Sequence, residues 1–313
     1  MKIAFLFPGQ GSQTIGMGKD LYEKYPEVQK VYEQVENITG MPVKELSFEG
    51  PEEELNTTQN TQVAVLTESL AILEMLKKHG ITAEYLAGLS LGEYTALIED
   101  GVFDWKEGIR LVQKRGEIMQ NQTPAGKWKM LAVLGLKEEQ VEEACQKVST
   151  GFVRPANFNT IGQIVISGEE EAVLKAGEIA KEMGAKKVME MKTAGPFHTE
   201  KLQACSESLR KELEKITIYK KDSKVIKNLD GKPYTKDDNI ADILARHIMS
   251  PVRFTQCLQT MYENGVDTFL EIGPGKTLSG FVKRMGFENS INILHVNDVA
   301  SLEAVIEEVT KHE

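Results

Sequence analysis

Short apolar segments alternate along the chain with longer segments in which apolar residues recur every three or four positions. Three of the short segments, Lys2–Phe7, Tyr85–Ala87 and Thr268–Ile272, have the length of β-strands, and each is followed by a glycine-containing turn and a helical pattern. This order of strand, turn and helix is typical of proteins in which helices pack on a parallel sheet. The pattern therefore predicts an α/β fold.

Helical patterns occupy most of the chain outside its middle. They predict helices over about 16–37, 62–79, 91–100, 105–120, 240–249, 254–264 and 277–285, another that follows His198 and ends near Lys215, and a strand over 224–228. Gly80 and Pro124 end two of these helices, because glycine readily adopts the left-handed conformation found at helix ends and proline lacks the N–H that continues a helix.

The middle of the chain has a different order of elements. The pattern predicts strands over 130–135, 152–158, 163–167 and 187–191, with helices over 138–148 and 170–184. This βαββαβ order is that of a ferredoxin-like unit. We therefore expect a small ferredoxin-like subdomain at 127–193, inserted into a large α/β domain formed by 1–126 and 194–313.

Composition adds limits to this picture. The 313 residues are 41% apolar, which is enough for a substantial core, and no apolar run approaches the ~20 residues of a membrane span. The amino end lacks a secretory pattern, and the three cysteines, Cys145, Cys205 and Cys257, have neither disulfide nor metal-ligand spacing. We expect a cytoplasmic protein with no membrane partner.

The charge balance argues against a nucleic-acid partner. The chain has 37 basic and 47 acidic residues, a net charge of −10 that is spread along the sequence. Lys276, Lys283 and Arg284 are candidates for a local basic patch that would receive an acidic partner. A solvated helix face explains these three residues equally well.

The segment Gly88-Leu89-Ser90-Leu91-Gly92 matches the nucleophile-elbow pattern Gly-x-Ser-x-Gly between a strand and a helix. In such a turn the serine backbone is strained, the flanking glycines avoid clashes, and the hydroxyl projects over a helix N-terminus, where free N–H groups can bind an oxyanion. Taken alone, the motif is equally compatible with an ordinary turn, because the pattern often arises by chance in a glycine-rich chain.

Two phosphate-binding motifs are ruled out by their spacing. Gly9 and Gly11 follow the first strand, but Thr14 occupies the position where a dinucleotide fingerprint needs Gly or Ala. Gly275-Lys276-Thr277 resembles the end of a phosphate loop, yet the first glycine of that motif would fall on Leu270. Both segments are interpreted as turns.

A serine nucleophile needs a base, and the chain has five histidines. His79 ends a helix and His312 lies in the polar tail, which predicts surface positions. His295 lies in or beside a strand, and His247 lies in a helix. His198 alone lies in a Gly-Pro loop, where nothing structural requires an imidazole. On the residues alone, a general base and an ordinary loop histidine are equally good interpretations of His198.

Six motifs follow one another along the chain: Phe7–Gln13, Gly88–Tyr94, Lys114–Gly116, Asn157–Asn159 with Gln163–Gly168, Gly195–His198 and Glu271–Gly275. Together they resemble the malonyl-CoA:acyl-carrier-protein transacylase family, from about residue 3 to residue 285. Six motifs in order are far more specific than any one of them. The resemblance implies an α/β-hydrolase-like core with a ferredoxin-like insertion, which is also the organisation predicted above.

The resemblance also implies roles. Ser90 would be the acylated nucleophile and His198 its general base and acid. The backbone N–H groups of Gln10 and Leu91 would form the oxyanion hole. Arg115 would pair with the free carboxylate of the malonyl group, a role that suits a planar guanidinium with two parallel donors.

Further substrate contacts are implied for Asn159, Gln62 and Phe197. A main-chain carbonyl would orient the base; it falls here on His247, where the family usually has Gln. The residue before the nucleophile, often His in the family, is Leu89. A Gly126–Met130 segment bulkier than the family's usual one alters the expected pocket wall.

The implied reaction is a two-step acyl transfer without a metal or redox cofactor. Ser90 takes the malonyl group from malonyl-CoA, and the phosphopantetheine thiol of an acyl carrier protein then takes it from Ser90, which supplies fatty-acid elongation. A discrete polyketide-type acyltransferase is the nearest alternative. A serine thioesterase or other hydrolase and an idle acyl-CoA-binding subunit are more distant ones, because no carboxylate suited to a hydrolase triad stands out and both Ser90 and His198 are present.

Overall fold

The computed structural model describes residues 1–192 and 195–311. The expected border between the small and the large domain, at 193/194, and the polar-tail residue His312 lie outside the described residues.

One or more helices separate successive strands through most of the chain. The strands are β1 (Ile3–Phe7), β2 (Tyr85–Gly88), β3 (Trp128–Leu134), β4 (Val153–Thr160), β5 (Gln163–Glu169), β6 (Lys187–Glu190), β7 (Val252–Arg253), β8 (Thr268–Ile272) and β9 (Asn292–Val296). The helices are α1 (Lys19–Lys24), α2 (Pro26–Thr39), α3 (Val43–Phe48), α4 (Glu52–Leu55), α5 (Thr58–Lys78), α6 (Leu91–Glu99), α7 (Trp105–Gln122), α8 (Glu138–Gln146), α9 (Glu170–Glu182), α10 (Gln203–Leu213), α11 (Ile240–His247), α12 (Phe254–Glu263), α13 (Thr277–Met285) and α14 (Val299–Thr310).

The first sheet is parallel, in the order β2-β1-β8-β9. Its central strand β1 is buried along its whole length, because apolar side chains face helices on both sides of the sheet. The predicted α/β fold with a parallel sheet is confirmed. β1 and β2 end side by side, so the Gly9 loop and Ser90 emerge at the same edge of the sheet.

The second sheet has the order β6-β3-β5-β4-β7. β3, β4, β5 and β6 pair antiparallel, whereas the short β7 pairs parallel with β4. Helices α8 and α9 cover one face of this sheet around a separate apolar core. Met130 and Val165 belong to the opposite face and join the main core, which brings that face towards the edge that carries Ser90.

Several predicted elements are wrong in detail. The helix expected over 16–37 is two helices, because Tyr25 is extended and Pro26 starts a new helix at a position where its missing N–H costs nothing. The strand expected over 224–228 is not a strand: Val225 and Ile226 form only isolated bridges, to Leu86 and Pro233.

Other elements are longer than predicted or were not predicted. The helix expected from Gln62 begins at Thr58, and the polar segments that form α3 and α4 gave no clear helical pattern. Strand β9 and helix α14 complete the far edge of the first sheet, and His295 lies within β9, as expected. Of the helices formed by residues 1–192 and 195–311, none combines the length and the apolar character needed to cross a membrane.

Candidate active site

Ser90 lies between β2 and α6 in a strained conformation, with φ 54° and ψ −97°. The elbow is tight on both sides. A Cβ at Gly88 would lie 1.9 Å from the carbonyl carbon of Gly92, and a Cβ at Gly92 would lie 2.1 Å from the carbonyl oxygen of Phe7. Only glycine fits these positions, so the two glycines of the motif allow Ser90 to adopt this geometry.

The structure brings His198 to Ser90. Ser90 Oγ and His198 Nε2 are 2.8 Å apart. On the other side of the ring, Nδ1 faces the carbonyl oxygens of His247 at 3.1 Å and Ser250 at 3.2 Å. Because carbonyl oxygens only accept hydrogen bonds, Nδ1 carries the proton and Nε2 is left to accept the serine proton.

His198 is buried, and this decides its charge. Burial, and after it the Arg115 guanidinium, lower the pKa of His198 to about 4, while the carbonyl groups of His247 and Ser250 act in the opposite direction. The imidazole is therefore neutral near pH 7. A neutral imidazole in contact with a hydroxyl is the arrangement that a general base requires.

Arg115 projects from α7 to the same point and is 1% exposed. Its Nη2 donates to Ser90 Oγ at 2.9 Å, its Nη1 donates to Gln62 Oε1 at 2.6 Å, and the guanidinium lies over the Tyr94 ring at 5.0 Å. Within residues 1–192 and 195–311 no carboxylate forms an ion pair with it, and its Nε has no hydrogen-bond partner. A buried cation beside Ser90 thus lacks an anionic partner in the described part of the chain, which suits a site for an anionic group of a ligand.

The two expected oxyanion donors lie in neighbouring segments that follow β1 and β2. Leu91 is the first residue of α6, where backbone N–H groups have no partner within the helix. Gln10 follows β1 and lines the cleft above Ser90. The segments are in close contact, because a Cβ at Gly9 would lie 2.3 Å from the carbonyl oxygen of Leu89.

A cleft of about 210 Å³ opens over Ser90 and His198, between the two sheets. Of the other residues expected at the site, Gln10, Asn159 and Phe197 line this cleft, whereas Gln62, Leu91, Arg115 and His247 are buried next to it. Asn159 Oδ1 is buried without a partner among the described residues. A larger groove of about 620 Å³ lies between β3, β4 and Arg284, and neither Ser90 nor His198 lines it.

Asn228 is a site residue that the sequence did not indicate. Its Oδ1 accepts the Ser90 N–H at 2.8 Å, and its Nδ2 donates to the Gly88 carbonyl at 2.7 Å. It lies 138 residues from Ser90 in a segment without a local motif. No pattern along the chain links the two.

Glu93 was also missed, although one signal was present. It is the only acidic residue among the apolar positions at the start of α6, and it is completely buried. Burial raises the pKa of Glu93 to about 7, against hydrogen bonds from Tyr234 and Asn228 and the charge of Arg115. An acidic residue in an otherwise apolar helix face indicates a specific polar partner.

In the part of the chain that the structure describes, no group of three His, Cys, Asp or Glu residues is arranged to hold a metal ion.

The chain is similar to known proteins over nearly its whole length. The model of the acyl transferase domain family matches residues 4–306. The malonyl CoA-acyl carrier protein transacylase of Bacillus subtilis (strain 168) is 42% identical over 308 residues, which are 98% of this chain and 96% of that protein. The protein of the same name from Escherichia coli (strain K12) is 38% identical over 98% of this chain and 99% of its own length.

Solved structures give the same result. The crystal structure of malonyl CoA-acyl carrier protein transacylase from Clostridium perfringens is 42% identical, with a TM-score of 0.93, and covers 100% of this chain and 98% of that one. A malonyl-transacylase in complex with a holo type II PKS acyl-carrier protein is 38% identical, also with a TM-score of 0.93, over 98% of this chain and 100% of that one.

Proposed function

The chain belongs to the acyl transferase domain family, and on that premise we propose that it transfers the malonyl group of malonyl-CoA to the phosphopantetheine thiol of an acyl carrier protein. The observation that carries this proposal is the position of Arg115, whose guanidinium donates to Ser90 Oγ at 2.9 Å and has no carboxylate partner among the described residues. A cation at that point binds an acyl group that has its own carboxylate and is bonded to Ser90 through its other end. Malonyl is such a group.

In the first half-reaction, His198 Nε2 takes the proton of Ser90 as Oγ attacks the thioester carbonyl carbon. The backbone N–H groups of Gln10 and Leu91 stabilise the resulting oxyanion. The tetrahedral species collapses with cleavage of the C–S bond, and His198 returns the proton to the sulfur of CoA. A malonyl ester of Ser90 remains.

In the second half-reaction, His198 takes the proton of the carrier thiol, and the sulfur attacks the ester carbonyl. The same N–H groups stabilise the oxyanion, and the C–O bond to Ser90 breaks as His198 returns the proton to Oγ. The products are malonyl carrier protein and the free enzyme. Because the residues present account for every proton and bond in both steps, neither step calls for a cofactor.

The orientation of the base favours acyl transfer over a triad hydrolase. His198 Nδ1 faces two main-chain carbonyl groups, of His247 and Ser250, where a hydrolase triad has a carboxylate. In this proposal Phe197 and Asn159 shape the cleft wall next to the acyl group, and Gln62 holds Arg115 through its Oε1. His247 contributes its main-chain carbonyl.

We further propose that 127–193 form a ferredoxin-like subdomain inserted into an α/β-hydrolase-like domain of 1–126 and 194–313. The strand order β6-β3-β5-β4 and the two helices on one face support this assignment. The opposite face supplies Met130, Asn159 and Val165 to the cleft, so the substrate would bind between the two domains.

Intact-mass spectrometry after mixing with malonyl-CoA tests the proposal. We expect a malonyl adduct on the wild type, none on Ser90→Ala, and loss of the adduct when phosphopantetheinylated carrier protein is added. Unmodified carrier protein, which lacks the thiol, is the control. Release of free malonate instead of malonyl carrier protein would identify a hydrolase.

A second candidate, the supply of a polyketide carrier protein, is favoured by one observation. A structural relative was solved with a type II PKS acyl-carrier protein, at the same TM-score as the relative from Clostridium perfringens. Comparing kcat/KM for a fatty-acid and a polyketide carrier protein distinguishes the two pathways. A higher value for the polyketide carrier would assign the chain to that pathway.

A further inference from the structure

Glu93 lies in the first turn of α6, three residues after the nucleophile, and its carboxyl group is completely buried. Three donors face it. The Tyr234 hydroxyl donates to Oε1 at 2.5 Å, the Asn228 backbone N–H donates to Oε2 at 3.3 Å, and His247 Nδ1 lies 3.3 Å from Oε2. One carboxyl group thus joins α6, the segment between α10 and α11, and the end of α11.

Asn228 links Glu93 to Ser90. The Asn228 side chain bridges the elbow, because it accepts the Ser90 N–H and donates to the Gly88 carbonyl. Ser90 has a positive φ, which costs free energy and persists only when neighbouring groups hold it. Since Glu93 accepts the Asn228 backbone N–H, it fixes the residue that holds the strained serine.

His247 links Glu93 to His198. The main-chain carbonyl of His247 accepts a hydrogen bond from His198 Nδ1, and the two imidazole rings lie 5.0 Å apart. Burial keeps the pKa of His247 well below its ordinary value, so its ring is neutral; with the proton on Nδ1, which lies 3.3 Å from Glu93 Oε2, the ring would present a donor to the carboxyl group. His247 Nε2 has no partner among the described residues, which agrees with the proton being on Nδ1.

We propose that Glu93 is a positioning residue that holds Ser90 and His198 in reactive alignment through Asn228 and His247. The name Glu93 clasp is used for four residues: Glu93, Asn228, Tyr234 and His247. The residues of the clasp do not line the cleft, so they act on the reacting groups and not on the substrate. The inference rests on the proposed function in one respect, since it takes Ser90 as the acylated residue.

The first test replaces Glu93 by Gln. The amide keeps the size of the side chain but puts an NH2 donor where an acceptor oxygen was, so at least one of the three donors loses its acceptor. We expect the rate constant for acylation of Ser90 by malonyl-CoA, measured in single turnover and divided by the titrated active sites, to fall about 10- to 100-fold. The Kd for malonyl-CoA, measured with Ser90→Ala and Ser90→Ala/Glu93→Gln, should not change.

Glu68→Gln is the matched control. Glu68 is also a buried glutamate on a helix, but it lies on α5, and its carboxyl oxygens have no hydrogen-bond partner among the described residues. We expect its acylation rate constant to equal that of the wild type. A general loss of stability would reduce the fraction of active sites in both variants, whereas loss of alignment lowers the rate constant per site in Glu93→Gln alone.

The second test leaves Glu93 in place, so it holds even if Glu93→Gln does not fold. His247→Gln keeps a side-chain donor for Glu93, whereas His247→Leu does not, and both keep the main-chain carbonyl that orients His198. We expect a near-normal rate constant for acylation of Ser90 with His247→Gln and a low one with His247→Leu.

A third test combines Glu93→Gln with Asn228→Ala. The effects of the two substitutions on the acylation rate constant should be less than additive, because both act on the same bridge.

Equal acylation rate constants for the wild type, Glu93→Gln and Glu68→Gln would overturn the positioning role, as would equal rates for His247→Gln and His247→Leu. Failure of the proposed function gives a different result. In that case the wild type itself would form no malonyl adduct on Ser90, and the control would not form one either.

Discussion

The guanidinium of Arg115 donates a hydrogen bond to the oxygen of Ser90, with 2.9 Å between Nη2 and Oγ. Arginine has donors and no acceptor, so Oγ accepts this bond and its own proton is free to point elsewhere. His198 Nε2, 2.8 Å away, is the acceptor in reach. Arg115 therefore directs the serine proton towards the base before any acyl group is bound, in addition to the anion-binding role proposed above.

Arg115→Ala should lower malonyl transfer far more than acetyl transfer. A carboxylate left unpaired in a buried site costs about 2–5 kcal/mol, which corresponds to roughly 30-fold or more in kcat/KM. Acetyl has no carboxylate and does not incur this cost. Arg115→Lys should restore only part of the malonyl activity, because a point charge lacks the paired donors.

The measurement is the ratio of kcat/KM for malonyl-CoA to kcat/KM for acetyl-CoA. Arg110→Ala is the control, since Arg110 lies on the same helix but is exposed. An unchanged ratio in Arg115→Ala would show that malonyl selectivity has another source.

Sequence alone indicated the parts of the site that lie within local motifs. The resemblance carried by six motifs is confirmed by the family match, and the structure brings Ser90, His198 and Arg115 into contact. Asn228 could not be inferred, because its link to the elbow depends on how two distant segments pack. The same limit explains the wrong strand over 224–228, where an apolar pattern exists but only isolated bridges form.

Gly92→Ala should destabilise the protein. The added methyl group would lie 2.1 Å from the Phe7 carbonyl oxygen, and neither backbone can move without disturbing β1 or the elbow. We expect a loss of about 1–3 kcal/mol in the free energy of unfolding, the usual range for overpacking. Gly280→Ala on α13 is the control, because nothing lies within 4 Å of its added Cβ and alanine favours the helix. The free energy of unfolding of both variants can be measured by chemical denaturation. Equal values for Gly92→Ala and Gly280→Ala would contradict this account.

Helix α13 turns one face to the cleft and exposes two basic side chains on another. Thr277, Leu278 and Phe281 line the cleft, while Lys283 and Arg284 are exposed beside it. The phosphopantetheine arm carries a phosphate, and its carrier must sit at the mouth of the cleft. Lys283→Glu/Arg284→Glu should therefore raise the KM for the carrier protein, roughly tenfold or about 1.4 kcal/mol, and weaken its salt dependence.

Pantetheine is the acceptor that separates docking from chemistry, because it supplies the thiol without phosphate or protein. We expect its reaction with the malonyl enzyme to be unaffected by the double substitution. Lys175→Glu on α9, an exposed lysine on the helix layer that covers the other face of the second sheet, is the matched control. An unchanged KM for the carrier protein would favour the interpretation that Lys283 and Arg284 belong to a solvated helix face.

The acid limb of activity should lie well below the range of an ordinary histidine. His198 must be neutral to accept the serine proton, and burial lowers its pKa to about 4 from an ordinary value of 6.5. Glu93, whose pKa burial raises to about 7, titrates in the same range, so the test uses Glu93→Gln, which lacks that titration. Since kcat/KM reports groups of the free enzyme, kcat/KM of this variant for malonyl-CoA should remain level from pH 7 to pH 5 and decline only as pH approaches about 4. A decline centred near pH 6.5 would show that the free enzyme carries a normally hydrated base.

Protein stability gives a measure of the same pKa that does not depend on catalysis. The folded chain resists protonation of His198, whereas the unfolded chain protonates it near pH 6.5, so its stabilising contribution is complete above pH 6.5 and is lost as pH falls towards 4. Over that interval the loss amounts to about 3 kcal/mol. His198→Ala lacks this titration, while Glu93 titrates in both proteins and cancels in their difference. The difference in unfolding free energy between wild type and His198→Ala should thus shrink by about 3 kcal/mol between pH 7 and pH 4. A difference that stays constant over this range, measured by urea denaturation at closely spaced pH values, would mean that burial does not perturb His198.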